Sequence, residues 1–218
     1  MPDIKLYGVT VSAFVAKVRI VLDMKGLAYE ELTPPDGYGS PTYRTIVPAG
    51  SVPGVVIDGK PVSDSNAIIE LLEALAPEPR LMPEDPFKAA KVRSLLGFHD
   101  TRVEAAARTL FPMIKSDWRA NSGPIDTGIA GIEAALERLD TMVAPSPFIL
   151  GKTPCFADLA YPVTLQMAEI MAAEMEREIT VPDRINTWRI ETAKLDSVAR
   201  SLIIARNAME GWMASFRV

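Results

Sequence analysis

The stretch from Gly50 to Ile68 reads GSVPGVVIDGKPVSDSNAI and contains the boundaries of a small sheet and of a helix. The segments GVVID and KPVS share an Asp-Gly step, which favours the tight turn of a β-hairpin. Pro53 stands at the start of the first strand, where a missing N–H is tolerated. Asp64 and Ser65 begin the next apolar run and are good helix N-cap residues. The stretch therefore predicts a strand, a turn, a second strand and a helix.

Upstream of this stretch, strand and helix signals alternate. IKLYGV and AYEELT read as strands, and AFVAKVRIVLDMKG between them has apolar residues at helical spacing and ends at Gly26. After the hairpin, SNAIIELLEALA reads as an amphipathic helix. The order of strand, helix, three further strands and a helix predicts a small mixed α/β sheet.

A proline-dense segment, PEPRLMPEDP at 77–86, separates this half from the rest of the chain. Beyond it the strand signals disappear and helical periodicity continues, with an interruption expected early in the segment 157–178, at Pro162. We therefore expect an α/β domain at 1–78, a linker at 79–86 and an all-α domain at 87–218.

Composition excludes several classes of function. The net charge is −5, from 23 basic and 28 acidic residues, and no basic cluster suited to nucleic acid is present. No apolar run reaches the roughly 18 to 20 residues of a membrane span, and the amino terminus does not resemble a secretory signal. One cysteine and one histidine leave little material for a metal site or a disulfide framework. We expect a cytoplasmic protein without a metal, a nucleic-acid partner or a membrane partner.

Three positions have two interpretations each. Ser12, between the first strand and the first helix, is either an ordinary N-cap or a hydroxyl that stabilises a substrate thiolate. A trans Val52-Pro53 bond would simply begin a strand, whereas a cis bond would leave the Val52 backbone open to an extended peptide. Asp64 and Ser65 are either caps or a site for an ammonium group and a carboxylate. A serine nucleophile is disfavoured, because the only histidine lies in the other half.

Taken together, these positions resemble the cytosolic glutathione transferase family, in its serine-type bacterial theta, zeta or beta-like forms. The resemblance extends over nearly the whole chain and rests on five ordered segments: SAFVAKVRIVL (12–22), GSPTYRTIVPAGSVPGVVIDG (39–59), VSDSNAIIELL (62–72), FILGKTPCFADLAYPV (148–163) and VPDRINTWRI (181–190). It implies a thioredoxin-like first domain with a mixed four-stranded sheet that binds glutathione. It also implies a helical bundle domain that supplies most of the pocket for a second substrate.

The resemblance assigns roles to particular residues. Ser12 would donate a hydrogen bond to the glutathione sulfur. Val52, before a cis-Pro53, would pair with the cysteinyl backbone. Asp64 and Ser65 would hold the γ-glutamyl ammonium and carboxylate groups. A short peptide with charged ends needs a strand edge and a helix terminus close together. This need explains the proline at the start of the strand and the Asp64-Ser65 pair at the start of the helix.

The chain departs from the family at several places, and two of the departures concern a binding residue and a helix cap. Ser51, also expected to bind glutathione, stands where many relatives carry a longer Lys or Gln toward the glycyl carboxylate, so Arg44 is a candidate to assist. Cys155 replaces the usual Ser or Thr that caps a buried helix. Asp158, three residues later, would reach back to this cap position as in a capping box. We expect Cys155 to be structural, because buried thiols are normally inert. We also expect a slightly weakened cap, because a thiol accepts hydrogen bonds less well than a hydroxyl.

The second-substrate pocket is the least defined part of the sequence. His99 is expected to be partly buried at a domain or subunit interface. The helix that carries it and the segments beside it offer candidate pocket residues for a small hydrophobic electrophile: Phe14, Phe98, Arg102, Phe111 and Met113.

The leading hypothesis is a glutathione transferase that uses glutathione as co-substrate, acts in detoxification and forms a homodimer, as the family does. A zeta-like double-bond isomerase is the enzymatic alternative, although the serine- and cysteine-rich segment of that class is missing. Cysteine-type relatives need a thiol near position 12, which this chain lacks. A binding protein that kept the fold and lost turnover is the alternative from another class.

Overall fold

The computed structural model describes residues 2–120 and 122–216, so Met1, Asn121 and the last two residues of the expected helical domain lie outside the described part. The first half forms one mixed four-stranded sheet in the order β2-β1-β3-β4. β1 is parallel to β2 and antiparallel to β3, and β3 is antiparallel to β4. The strands are β1 (Ile4–Tyr7), β2 (Glu30–Leu32), β3 (Gly54–Ile57) and β4 (Lys60–Ser63). This is the thioredoxin-like sheet expected from the resemblance.

Three helices accompany the sheet: α1 (Ala13–Met24), the short α2 (Pro41–Arg44) and α3 (Ser65–Leu75). α1 follows β1 after a short loop and ends before Gly26, whose φ of +61° suits a residue without a side chain. In the β3–β4 hairpin, Asp58 and Gly59 have φ values of +48° and +79°, as a turn of the type favoured by Asp-Gly requires.

The regular secondary structure of the second half is helical within the described residues, apart from one isolated bridge between Phe148 and Gly151, and loops connect the helices. Its elements are α4 (Pro86–Phe98), a π-helical turn (His99–Val103), α5 (Glu104–Arg108), α6 (Leu110–Ile114), α7 (Gly123–Met142), α8 (Phe156–Glu174), α9 (Asp183–Thr192) and α10 (Asp196–Ala214). The predicted interruption at Pro162 is wrong, because α8 continues through it. None of the helices within residues 2–120 and 122–216 combines the length and apolar character needed to cross a membrane.

α8 is the central helix of this half, and its start is held by a buried carboxylate. Asp158 Oδ1 accepts hydrogen bonds from Ile149 N at 2.9 Å and from Trp188 Nε1 at 2.7 Å, and Oδ2 accepts from Cys155 N at 2.8 Å. The Cys155 thiol lies 3.1 Å from Oδ2. Asp158 thus reaches back to the residue before the helix, as a capping box does, and ties α9 to the same point.

The apolar core is continuous between the halves. Side chains of the sheet and of α1 join those of α4, α8 and α10 in one buried cluster, and α1 packs against α3, α8 and α10. Because α1 is enclosed on several sides, its amino terminus has a fixed position relative to both halves. The first turn of α1 is therefore a rigid place for a functional group.

Candidate functional site

Ser12 is held at the amino terminus of α1 by a close approach of the loop that precedes the helix. A side-chain carbon added to Gly8 would come within 2.5 Å of Val15 Cγ1, so only glycine allows the chain after β1 to pass this near the helix. Ser12 N donates to Val9 O at 3.1 Å, and Ser12 O accepts from Ala16 N at 3.0 Å. The loop and the first helical turn therefore fix the Ser12 backbone.

The Ser12 side chain is the N-cap of α1, and its proton is still available. Oγ accepts from Val15 N at 3.4 Å, which is longer than a typical N–H···O bond. Among the described residues none accepts a hydrogen bond from this hydroxyl. An oxygen that accepts from the helix terminus becomes a stronger donor, because hydrogen bonds in a chain polarise one another. Ser12 is only 5% exposed, so water competes weakly with a ligand.

A tyrosine fixes the Ser51–Pro53 segment that faces Ser12. Tyr43 is fully buried, and its hydroxyl donates to Ser51 O at 3.0 Å. A side-chain carbon at Gly54 would lie 2.4 Å from this hydroxyl, so glycine is needed there. Burial raises the pKa of Tyr43 to about 12, so the phenol stays protonated and can donate even in alkaline solution. The Val52-Pro53 bond is cis. Within the described part of the chain, no hydrogen bond uses the Val52 backbone.

Arg44 is already engaged by the backbone. Its Nε donates to Gly39 O at 3.1 Å and its Nη1 to Ala49 O at 3.4 Å, so its guanidinium holds the loop before β3 together. The side chain of Ser51 is exposed. This arrangement gives Arg44 a structural role in the loop before β3.

Asp64 and Ser65 form the start of α3 with an unusual backbone. Asp64 has a φ of +74°, which is uncommon for a residue with a side chain and is found at functional sites. Its Oδ1 accepts from Asn66 N at 2.9 Å and Ala67 N at 3.0 Å, while Asp64 itself is exposed. The Ser65 N–H is not used by this cap. The helix start thus presents a carboxylate beside the Ser65 N–H and hydroxyl, for which the described residues provide no hydrogen-bond acceptor.

A cleft of about 640 Å³ opens beside Ser12. Four of the residues predicted for the site line it, namely Ser12, Ser51, Val52 and Phe111. The other lining residues were not predicted from the sequence: Val9, Val11, Tyr38, Arg108, Pro112, Lys115 and Trp212. Ser12, Ser51 and Val52 come from loops of the sheet half. The helical half supplies one wall of the cleft, which contains the aromatic and cationic residues Arg108, Phe111, Lys115 and Trp212.

The remaining predicted pocket residues are not among those that line the cleft. Phe14 stands edge-on to His99 at 6.2 Å, with the Arg108 guanidinium 5.1 Å from its ring centre. Phe98 and Met113 are half-buried against the core. Arg102 is exposed and donates to Thr101 O at 3.1 Å. Pro53, Asp64 and Ser65 are likewise outside the cleft lining and border the sheet half.

Behind the site, a buried polar cluster joins the two halves. Lys17 Nζ donates to Asn66 Oδ1 at 2.6 Å and lies 3.3 Å from Asp100 Oδ1. The Asn66 amide donates to Asp100 Oδ2 at 2.7 Å. His99 Nδ1 lies 2.7 Å from Asp100 Oδ1 and Nε2 lies 2.9 Å from Thr164 Oγ1. His99 is therefore fully buried between α1 and α8, not partly buried as expected. The cluster fixes α1 and α3, whose first turns carry Ser12 and Ser65.

Comparison with known proteins agrees with this geometry. Residues 6–80 match a family profile described as the glutathione S-transferase N-terminal domain. Glutathione S-transferase U2 of Arabidopsis thaliana is 30% identical over 192 residues, which cover 85% of this chain and 82% of that protein. The maleylacetoacetate isomerase of Rattus norvegicus is 40% identical over 95 residues, but these cover only 41% of this chain and 44% of that enzyme.

The fold is also found among solved structures. The theta class glutathione S-transferase from Xanthomonas axonopodis pv. citri, with glutathione bound, superimposes with a TM-score of 0.76 at 22% identity, covering 93% of this chain and 98% of that one. At this identity the match concerns the fold alone, whereas the plant relative matches in sequence over most of both chains. The chain therefore belongs to the glutathione S-transferase family.

Proposed function

We propose that the protein binds glutathione along the Val52 backbone and the start of α3, holds its thiol as a thiolate at Ser12, and directs it at an electrophile in the cleft. One observation carries the proposal: the Ser12 hydroxyl lines the same cleft as Ser51 and Val52, and its proton is not donated to any residue that the structure describes. The thiol proton passes to solvent as the thiolate forms. In the conjugation, sulfur then bonds to the electrophilic carbon and the leaving group departs with its electron pair.

The energy required is within reach of these groups. Lowering a thiol pKa from about 9 to between about 6 and 7 stabilises the thiolate by about 3 to 4 kcal/mol. A hydrogen bond to a charged group contributes about 1.5 to 3 kcal/mol. A helix amino terminus in a partly buried site contributes up to about 2 kcal/mol. α1 has no acidic residue in its first turn to oppose the anion.

A titration of the bound thiol tests this proposal. The thiolate absorbance of glutathione, measured against pH with protein in excess, should give an apparent pKa between about 6 and 7. In Ser12→Ala the apparent pKa should return toward that of free glutathione. At about pH 6.5 its kcat/KM should fall about 100-fold, the range found when one donor to a developing anion is removed. Failure to bind glutathione would contradict the proposal, and an unshifted pKa would indicate a carrier.

An isomerase is the second candidate, because the rat maleylacetoacetate isomerase matches part of the chain. In that chemistry the thiolate adds to a conjugated double bond and later leaves, so that glutathione is regenerated. Conjugation consumes one glutathione for each product molecule. Substrate turnover without loss of titratable thiol would therefore favour the isomerase.

We propose a cytoplasmic detoxification enzyme that acts as a homodimer. Phe87, at the start of α4, is 87% exposed and is a candidate contact for a second copy. Light scattering should give twice the monomer mass of 23.7 kDa, and the monomer mass would contradict the dimer.

A further inference from the structure

The cleft has a wall of aromatic rings on its helical side. Phe111 and Trp212 have ring centres 5.2 Å apart, and Trp212 and Phe216 have centres 5.0 Å apart. Phe111 and Trp212 line the cleft directly. Rings in series offer flat faces and edges, which suit a planar conjugated group better than a flexible aliphatic one.

The same wall carries positive charge. Lys115 Nζ lies 5.5 Å from the Trp212 ring centre and 5.2 Å from that of Phe216. None of the ion pairs among the described residues involves Lys115. Arg108, also in the cleft wall, is paired through Nε with Glu104 at 3.1 Å and keeps about half of its side chain exposed.

Glu104 pairs with Arg108 but does not line the cleft, and Lys115 has no ion-pair partner among the described residues. The lining residues within the described part of the chain include no aspartate and no glutamate, although the whole chain is acidic, with a net charge of −5. A cleft of one sign with low-dielectric walls concentrates the opposite charge. The cleft lining is therefore positively charged although the chain as a whole is negatively charged, and this positive charge attracts an anion.

We propose that the second substrate is a planar aromatic or conjugated electrophile that bears a carboxylate or a similar anionic group, with Lys115 as the residue that binds the anion. The inference rests on the proposed function and refines the small hydrophobic electrophile that the sequence analysis expected by adding an anionic group to it. Arg108 extends the positive field, while the Phe111–Trp212 pair receives the flat part of the molecule.

Binding of two unreactive conjugates tests the inference without requiring turnover. One is S-dinitrophenyl glutathione, and the other is the same conjugate with a carboxylate on the ring; quenching of tryptophan fluorescence gives both dissociation constants. We expect the carboxylate to tighten binding by about tenfold, near the lower end of the effect of a hydrogen bond to a charged group. Lys115→Met should abolish this preference and Lys115→Arg should keep it. Lys152→Met, which removes an exposed charge outside the cleft lining, is the matched control and should keep it too.

The outcomes separate this inference from the proposed function. The inference would be overturned if Lys115→Met and the unchanged protein preferred the carboxylate-bearing conjugate over the other conjugate by the same factor. An equal loss of affinity in Lys115→Met for both conjugates and for glutathione itself would overturn it too, since Lys115 would then bind the tripeptide. Absence of binding by either conjugate to the folded protein would also overturn it. Turnover of chlorodinitrobenzene is measured separately, and its absence beside selective binding would contradict only the proposed function.

Discussion

Lys17 and Asp100 are in direct contact although 83 residues separate them: the Lys17 ammonium lies 3.3 Å from Asp100 Oδ1. The lysine side chain is fully buried, whereas the Asp100 side chain keeps 21% of its exposure. A charge buried to this degree needs a partner, because transfer from water is unfavourable for an isolated ion. The pair therefore joins α1 to the π-helical turn and fixes one half of the site to the other.

Loss of this pair should destabilise the protein. Removing one member of a buried ion pair costs about 3 to 5 kcal/mol, and we expect Lys17→Met to lie at the lower end because Asp100 keeps some contact with water. Urea unfolding of Lys17→Met, Asp100→Asn and the double variant gives the coupling free energy, expected to be about 1 to 3 kcal/mol. Additive effects of the two substitutions would show that the contact contributes nothing of its own.

Stability should also respond to acid through Asp100. Burial alone would raise the pKa of Asp100, but the hydrogen bond from His99, the Lys17 charge and the Asn66 amide outweigh it and hold the pKa below its ordinary value. A carboxyl group with a lowered folded pKa stabilises the protein above its unfolded pKa of about 4, and this contribution is lost as pH falls below it. The difference in unfolding free energy between the unchanged protein and Asp100→Asn should be constant from pH 7 to 5 and shrink below about pH 4. A difference that grows in acid would contradict this.

Cys155 should be unreactive in the folded protein. Burial raises the pKa of its thiol well above the ordinary value, and the adjacent Asp158 carboxylate raises it further. Since the thiolate is the reactive form, N-ethylmaleimide at neutral pH should label the unfolded chain quickly and the native chain very slowly. Rapid labelling of the native chain would contradict this prediction, because it would mean an accessible thiolate.

Cys155→Ser should raise the unfolding free energy by about 0.5 to 1 kcal/mol, since a hydroxyl caps a helix better than a thiol. Urea unfolding of the variant and the unchanged protein measures this difference, and a lower value in the variant would contradict the prediction.

Asp64→Asn separates ligand recognition from helix capping at the start of α3. Asparagine caps helices well and tolerates the positive φ of +74°, so the melting temperature should stay unchanged. Loss of the carboxylate should raise the KM for glutathione by about tenfold with little change in kcat, as expected for a contact made equally in ground and transition states. Asp64→Ala is the control, because it loses the cap as well and should also melt at a lower temperature. A fall in kcat with an unchanged KM would assign Asp64 to the chemical step.

The sequence predicted the sheet half closely because its signals are local. Strand alternation, the Asp-Gly turn and the stop at Gly26 each act over a few residues, and the elements begin and end near the expected positions. The helical half was predicted as helix, but of its side chains that line the cleft only Phe111 was predicted. The π-helical turn at His99–Val103 and the break at Thr109 shift the helical phase, so periodicity could not show that Arg108 and Lys115 reach the cleft.

Long-range contacts account for the other differences. Lys17 reads as a surface residue of an amphipathic helix, yet Asn66 and Asp100, from distant parts of the chain, let it be fully buried. His99 is enclosed by Asp100 and Thr164 in the same way. No local pattern specifies such partners, because their proximity exists only after both halves have packed.

The central claim is that the glutathione sulfur lies beside the Ser12 hydroxyl, and a structure of the glutathione complex measures this directly. The distance from that sulfur to Ser12 Oγ should be at most about 3.5 Å, with Oγ still accepting from Val15 N. A sulfur that instead contacts another group, with Ser12 Oγ bonded only within its own helix, would contradict the claim.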